Sequence, residues 1–260
     1  MTERRALITG ASAGLGAEFA RQLASNGKDL ILVARRTQPM ETLAQELTDD
    51  FNVAVDVIQS DLSEKDATVR LFADVNSRGL EVDYLINNAG AVGPDLLQDR
   101  DWPAQQDYIE LMMASVTGMC HHFIPPMQQR GFGRVLNVAS VAGHVSLSGD
   151  TSYGPTKAYV IALSKGLAAT VRVDGVHVLA LCPGFTHTDF HLSEELTRMK
   201  KKSPAFIWYD TDVVIREGLA ALEKGKVVYI SGRLYRFAVP LLKSRAGGWI
   251  MARMGVERDY

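Results

Sequence analysis

Three polar side chains have the types that proton transfer requires: Ser140, Tyr153 and Lys157. Tyr153 and Lys157 are four residues apart at the start of a helical pattern, so a helix would place them on one face. A phenol is too weak an acid for catalysis near neutral pH, and we expect the ammonium group of Lys157 to lower the pKa of Tyr153. Tyr153 could then exchange a proton with a substrate oxygen that the Ser140 hydroxyl holds. The chemistry predicted is general acid–base catalysis.

A Tyr-x-x-x-Lys spacing is common on exposed helices, so its meaning depends on the elements that position it. Seven compact runs are continuously apolar, as strands covered on both faces are. These runs span residues 6–9, 30–34, 53–58, 82–87, 135–139, 176–181 and 227–230. Helical stripes lie between them, the clearest being Met40, Leu43, Ala44 and Leu47. The alternation predicts an α/β fold in a single domain, a doubly wound parallel sheet of about seven strands whose ligands lie beyond the carboxyl ends.

The first candidate strand leads into the glycine-rich turn T-G-A-S-A-G-L-G at residues 9–16, and a helical pattern follows. Glycines there allow a tight turn and let the backbone approach a pyrophosphate at the helix N-terminus. The predicted dinucleotide-binding residues of this turn are Gly10, Ser12, Ala13, Gly14, Leu15 and Gly16. Two other interpretations stay open. In the first, residues 10–14 match G-x-S-x-G, and Ser12 would be a hydrolase nucleophile. In the second, the glycines have only a structural role in the turn.

Two arginines, Arg35 and Arg36, follow the second candidate strand, at the position that selects the dinucleotide. An acidic residue there would bind the ribose 2′-hydroxyl of NAD(H), whereas guanidinium groups suit the 2′-phosphate of NADP(H). We therefore predict NADP(H) as the cofactor. The alternative is a solvated basic pair that opens the next helix.

Taken in order, these motifs resemble the short-chain dehydrogenase/reductase family, in its short single-domain branch. The resemblance extends from about Ala6 to Thr188. Besides the glycine turn and Ser140 it includes Asp61–Leu62, N-N-A-G at residues 87–90, Y-G-P-T-K at residues 153–157 and P-G-F-T-H-T from Pro183. The resemblance implies a Rossmann-type fold and an NADP(H)-dependent oxidoreductase that interconverts a carbonyl and a secondary alcohol by hydride transfer. The alternative is a non-catalytic NADP(H)-binding sensor or regulatory protein.

The resemblance also assigns roles to individual residues. Ser140, Tyr153 and Lys157 would be catalytic, and Lys157 would also hold the nicotinamide ribose. The remaining cofactor-binding residues that it implies are Asp61 and Leu62 beside the adenine, Asn88, Ala89 and Gly90 near the adenosine ribose, and Pro183, Gly184, Thr186 and Thr188 around the nicotinamide. It further implies a homodimer or homotetramer built from the helices around residues 108–119 and 158–171.

Residues 189–260 would form a substrate lid and a C-terminal segment within the same domain. The aromatic residues Phe206, Trp208 and Tyr209 favour an apolar carbonyl or alcohol substrate, although they could equally pack the base of the lid. The tail from residue 235 to 254 mixes apolar and basic residues, and could dock on the domain, on a neighbouring subunit or on a membrane surface.

One position departs from the family pattern. The family usually has an asparagine on the helix before the catalytic strand, where it steadies a water that relays protons to the lysine. An ungapped alignment from I-P-P-M at residues 124–127 brings Met112 to that position. A thioether is at best a weak hydrogen-bond acceptor, and Ser115, one turn away, could substitute in part. We expect that Met112→Asn leaves activity intact or raises it.

Composition excludes several classes of function. The 28 basic and 30 acidic residues give a net charge of −2, so we expect no nucleic-acid partner. No apolar run is long enough to span a membrane, and we expect no membrane partner. The two cysteines are too few for a disulfide framework, so we expect them to be buried thiols in a reducing compartment. Because we also recognise no leader sequence, we expect the protein in the cytoplasm. His187 and His191 have helical ligand spacing but nothing completes a site, and His144 lacks the acid of a triad with Ser140, so we predict no metal and no hydrolase triad.

Overall fold

One parallel sheet of seven strands organises the chain, which is described over residues 4–145, 149–187 and 204–243 in a computed structural model. The strands are β1 Arg5–Thr9, β2 Asp29–Ala34, β3 Val55–Gln59, β4 Tyr84–Asn87, β5 Gly133–Val138, β6 Val176–Cys182 and β7 Val228–Ile230. Their order is β3-β2-β1-β4-β5-β6-β7, and all neighbours are parallel. The order reverses between β1 and β4, where a doubly wound sheet opens a ligand crevice. The predicted fold class is confirmed.

Helices connect the strands and cover the sheet. They are α1 Gly14–Ser25, α2 Thr37–Phe51, α3 Ala67–Ser77, α4 Trp102–Ile109, α5 Ser115–Gln129, α6 Tyr153–Val171, α7 Thr211–Glu223 and α8 Arg233–Lys243. A π-helical turn, Glu110–Ala114, joins α4 to α5, and a 3-10 turn, Val141–His144, follows β5. A π-turn inside a longer helix often marks a functional site.

The strands are apolar throughout because helices cover both faces of the sheet. Along β1, Leu7 faces the layer of α3, α5 and α6, whereas Ile8 faces the layer of α1, α2 and α7. Phe19 of α1 and Leu71 of α3 are buried in these two layers. The sheet edges differ, since β3 and β7 are only partly buried. This burial explains why the inner strands lack an alternating pattern.

Strand boundaries differ from the predicted ones where apolar residues pack outside the sheet. Val53 and Val82 are buried, yet they precede β3 and β4. Asn52, in the left-handed region at φ 53°, ends α2, and the chain turns before β3 begins at Val55. Apolar runs therefore predict the buried segment, which is longer than the hydrogen-bonded strand.

Several predictions fall outside the described residues. They are the positions of Thr188 and His191 and two parts of the predicted lid and tail, residues 189–203 and 244–260. The part of that segment that the structure does describe, residues 204–243, contains α7, β7 and α8. None of the helices in the described ranges is long and apolar enough to cross a bilayer.

Candidate active site

The glycine turn between β1 and α1 is closed by backbone packing. Gly10 and Gly14 have φ values of 66° and 56°, a region that side chains disfavour. A Cβ on Gly16 would lie 2.1 Å from the carbonyl oxygen of Gly10. Helix α1 begins after Ala13, so no side chain caps its first amide groups, and its first turn contains no acidic residue. This N-terminus suits the pyrophosphate of a dinucleotide.

Asn88 and Thr9 join the glycine turn to the end of β4. Asn88 Nδ2 donates to the carbonyl oxygens of Thr9 (2.9 Å) and Gly10 (3.3 Å). Thr9 Oγ1 accepts hydrogen bonds from the amides of Asn88 and Ala89, both at 3.0 Å. The N-N-A-G motif thus fixes the two loops at the point where the strand order reverses. Thr9 is a residue that the sequence analysis missed as a site residue, although it opens the glycine motif.

The two predicted 2′-phosphate ligands point to different partners. Arg36 donates to Ser12 Oγ in the glycine turn (3.3 Å). Arg35 is exposed and lies 3.9 Å from Asp61 Oδ2. Burial raises the pKa of Asp61, but hydrogen bonds from Ser63 and the charge of Arg35 outweigh it, so that this pKa lies below its usual value. Ser12 thus contacts a guanidinium group, which cannot serve as a general base, and this disfavours the hydrolase interpretation.

The three predicted catalytic side chains meet beyond the carboxyl end of β5. Ser140 follows the strand, and a hydrogen bond joins its side chain to that of Tyr153. Ser140 Oγ also accepts the amide of Ala142 (3.2 Å). Lys157 is buried, and its Nζ donates to the carbonyl oxygen of Val138 (2.8 Å) while lying 5.6 Å from the centre of the Tyr153 ring. Pro183, which follows β6, accepts the amide of Val141 (2.9 Å), so the next loop borders the same crevice.

The pKa values of the site differ from the sequence-based expectation. Burial raises the pKa of Tyr153 to about 12, and the hydrogen bond with Ser140 only partly offsets this effect. Burial also lowers the pKa of Lys157 to about 8. The net shift of the Tyr153 pKa is therefore upward rather than downward, because desolvation by burial outweighs the hydrogen bond with Ser140. The ammonium of Lys157 donates to the Val138 carbonyl, and its stabilising effect on a Tyr153 phenolate stays a prediction.

Met112 and the predicted catalytic lysine, Lys157, both lie close to Gly90. Met112 is buried in the π-helical turn, and its sulfur accepts the amide of Ala91 (3.4 Å). A Cβ on Gly90 would lie 3.3 Å from the Met112 sulfur and 3.7 Å from Lys157 Nζ. Ser115, by contrast, donates its hydroxyl to the carbonyl oxygen of Leu111 (2.6 Å), in the preceding turn of its own helix. The apolar side chain of Met112 and the amine of Lys157 therefore lie next to the same face of Gly90.

Another tyrosine, Tyr108, is buried next to the site and was not predicted as a site residue. The hydroxyl of Tyr108 is 3.5 Å from Thr156 Oγ1, and burial raises the pKa of Tyr108 to about 12. Both Tyr108 and Asp150 lie close enough to Tyr153 to raise its pKa further. No sequence signal pointed to Tyr108, because it lies on α4, far along the chain from the motif that it contacts.

The predicted nicotinamide loop packs against aromatic residues. Phe185 and His187 both stack on the buried Trp208, with ring centres 5.0 Å and 5.5 Å apart. Thr186 Oγ1 donates to the carbonyl oxygen of Gly184 (3.0 Å), and a Cβ on Gly184 would lie 2.0 Å from the Tyr235 ring of α8. Trp208 therefore supports this loop, as the alternative interpretation of the aromatic residues proposed.

Comparisons with known proteins agree with this geometry. The sequence profile of the family described as short chain dehydrogenase matches residues 4–199. Nodulation protein G from Rhizobium sp. (strain N33) is 30% identical over 240 residues, which are 90% of this chain and 94% of that protein.

Two solved structures are also similar. The bulky-bulky ketone specific alcohol dehydrogenase from Comamonas testosteroni is 27% identical with a TM-score of 0.79, and the match covers 100% of this chain and 96% of that one. A short-chain dehydrogenase from Sphingobium yanoikuyae, solved in complex with NADPH, is 28% identical with the same TM-score of 0.79, over 98% of this chain and 97% of that one. The profile match over most of the chain, together with the parallel sheet and the motif order, shows that this protein belongs to the short-chain dehydrogenase family of oxidoreductases.

Proposed function

We propose that the protein is an NADP(H)-dependent oxidoreductase that interconverts a carbonyl and a secondary alcohol. The observation that carries this proposal is the hydrogen bond between Ser140 and Tyr153, with Lys157 one helical turn further along α6. These side chains lie at the same edge of the sheet as the glycine turn. The proposed acid–base group and the proposed dinucleotide-binding turn would therefore border the same crevice.

The residues around the crevice fit NADP(H). The uncapped start of α1 would hold the pyrophosphate, Arg36 the 2′-phosphate and Lys157 the nicotinamide ribose. Pro183, Gly184 and Thr186 would flank the nicotinamide. The cofactor, when bound, supplies or accepts the hydride. NADPH in the Sphingobium yanoikuyae relative supports this choice, as does the place of Arg36.

The protein's own side chains would handle the proton. With a pKa of about 12, Tyr153 is protonated at neutral pH and is ready to donate to a carbonyl oxygen as that oxygen gains negative charge. Ser140 would donate a second hydrogen bond to the same oxygen. Lys157, while charged, would stabilise the phenolate that remains. Such a site favours carbonyl reduction at neutral pH.

We also propose an apolar substrate and a homo-oligomer. Phe185 lies next to the crevice, and the similar Comamonas testosteroni enzyme is specific for bulky-bulky ketones. Small residues recur on the exposed side of α6, namely Ala158, Ala162, Gly166 and Ala169. Such a surface allows close helix packing between copies of the chain, which would give a dimer or a tetramer. Sedimentation velocity distinguishes these two oligomeric states.

The test of this function is a screen of ketones, aldehydes and quinones with NADPH, read by the loss of reduced-nicotinamide absorbance. Turnover of at least one apolar ketone supports the proposal. Tight NADPH binding without turnover on the whole panel would favour the sensor alternative. Isotopically labelled NADPH would then show whether the hydride reaches the product.

The rate of carbonyl reduction should depend on pH through Lys157. Its pKa of about 8 means that the ammonium form dominates below that pH and is lost above it. We expect kcat to be level near pH 7 and to fall as the pH rises through about 8, because the neutral amine no longer stabilises the phenolate. Initial rates at saturating substrate measure this. A kcat that rises steadily across this interval would contradict the assigned role.

Met112→Asn should leave kcat intact or raise it, because an amide beside Gly90 and Lys157 can anchor a water that a thioether cannot. The lost apolar burial should lower the free energy of unfolding by about 1–3 kcal/mol. Steady-state kinetics and chemical denaturation measure the two effects. Met113→Asn, at the partly buried neighbouring position, is the control. A folded, NADPH-binding Met112→Asn protein without activity would contradict the interpretation of this position.

A further inference from the structure

The predicted nicotinamide loop, which the structure describes over residues 183–187, pairs with a segment that is distant along the chain. The amide of Tyr209 donates to the carbonyl oxygen of Phe185 (3.0 Å), and the amide of His187 donates to the carbonyl oxygen of Tyr209 (3.0 Å). These bonds form a short parallel bridge between the loop and residues 205–209, which we call the bracing segment. The position of the loop therefore depends on the bracing segment.

Tyr235, in the first turn of α8, joins the same two segments through its side chain. The amide of Phe185 donates to the Tyr235 hydroxyl (3.3 Å), and this hydroxyl donates to the carbonyl oxygen of Ile207 (2.8 Å). One hydroxyl thus accepts from the loop and donates to the bracing segment. The ring of Tyr235 also packs against Gly184, where a Cβ would lie 2.0 Å from the ring. Tyr235 therefore contacts the loop through its ring and through its hydroxyl.

Tyr209 belongs to the same aromatic cluster, but its side chain joins different elements. The ring centres of Tyr209 and Tyr235 are 5.9 Å apart. The Tyr209 hydroxyl accepts the amide of Leu234 (3.3 Å), and its ring packs against Gly232, where a Cβ would lie 2.7 Å away. Leu234 is in the first turn of α8, and Gly232 directly precedes that helix. The Tyr209 side chain therefore joins the bracing segment to α8, whereas the Tyr235 hydroxyl joins the loop to the bracing segment.

The loop that Tyr235 contacts also borders the catalytic crevice. The carbonyl oxygen of Pro183 accepts the amide of Val141 (2.9 Å), and Val141 directly follows Ser140. The loop is thus attached to the crevice on one side and to Tyr235 on the other. We propose that Tyr235 is a positioning residue, whose hydroxyl holds the loop in the place where it would flank the nicotinamide ring. This inference rests on the proposed cofactor site, but it does not require catalytic turnover.

Loss of the Tyr235 hydroxyl should affect one half of the cofactor only. In Tyr235→Phe the ring would stay against Gly184, but the loop and the bracing segment would lose the hydroxyl that joins them. The loop would then populate other positions, and binding of the nicotinamide half would weaken in proportion. The adenosine half would bind at the glycine turn after β1, and β4 and β5 separate β1 from β6 in the sheet. We therefore expect the binding of the adenosine half to stay unchanged.

The experiment is a calorimetric titration of the full chain with NADPH and with 2′-phospho-ADP-ribose, which has the same adenosine half but no nicotinamide. We expect Tyr235→Phe to weaken NADPH binding by about tenfold and the binding of 2′-phospho-ADP-ribose by less than about twofold. Tyr209→Phe is the matched control, because it removes a hydroxyl from the same cluster and keeps the backbone bridge to the loop. It should weaken NADPH binding by less than about threefold. If the parent protein prefers NADH, then NADH and ADP-ribose replace this pair of ligands.

The ratio of the two Kd values distinguishes positioning from a general structural role. Tyr235→Phe with a lower melting temperature but an unchanged ratio would overturn the proposal, and so would an equal change of the ratio in Tyr209→Phe. A parent protein that binds NADPH without turnover would contradict the proposed function, yet the ratio would still decide the role of Tyr235. If the parent does reduce a ketone, kcat of Tyr235→Phe at saturating NADPH should fall by about threefold to tenfold, because the nicotinamide is less well oriented.

Discussion

Tyr153→Phe is expected to lower kcat for carbonyl reduction by about 10³-fold while leaving the Kd for NADPH within about threefold. The substitution removes only the hydroxyl that bonds to Ser140 and that would donate the proton. The ring stays and continues to fill its place beside Lys157. Stopped-flow rates with saturating NADPH and ketone, together with a fluorescence titration of the cofactor, separate the two quantities.

Tyr108→Phe provides a matched control. Tyr108 is also a tyrosine near the site, but it is buried and its hydroxyl contacts Thr156 rather than Ser140. We expect its loss to change kcat by less than about tenfold. A Tyr153→Phe enzyme with near-parental kcat would contradict the proton-transfer role, and equal losses in both variants would indicate that packing, not acid–base chemistry, limits the rate.

The sequence predicts the fold and the parts of the site that depend on backbone. Continuous apolar runs and helical stripes are sufficient to place seven strands in a doubly wound order, because burial on both faces leaves few other patterns. The glycine motif similarly predicts the closed turn, since the contact between Gly16 and the Gly10 carbonyl excludes a side chain. These features follow from local sterics and periodicity.

The sequence does not predict where flexible polar side chains point or how burial affects them. Two adjacent arginines look equivalent in the sequence, but only Arg36 contacts the glycine turn, while Arg35 contacts Asp61. The partner of Lys157 is a backbone carbonyl of β5, which no motif marks. The direction of the Tyr153 pKa shift depends on desolvation, which requires the packed structure. Each of these depends on contacts between residues that are distant along the chain.

The difference between the two arginines leads to a second large effect. Arg36→Ala is expected to weaken NADPH binding by about 10- to 100-fold, because a charged hydrogen bond to phosphate contributes about 1.5–3 kcal/mol. NADH has no 2′-phosphate, so its Kd should change by less than about threefold. The ratio of the Kd for NADH to the Kd for NADPH should therefore fall by nearly as much as NADPH binding weakens. Titration of both cofactors against parent and variant measures it.

Arg35→Ala is the control, and its position makes it informative. Arg35 is exposed, lies 3.9 Å from Asp61 and has part of its charge offset by that carboxylate. Its loss should weaken NADPH binding less than the loss of Arg36, by about threefold to tenfold. If Arg35→Ala had the larger effect, the 2′-phosphate would lie on the Asp61 side of the loop. If neither variant changed the preference and NADH bound as tightly as NADPH, the arginines would be the solvated pair of the alternative interpretation, and the cofactor would be NAD(H).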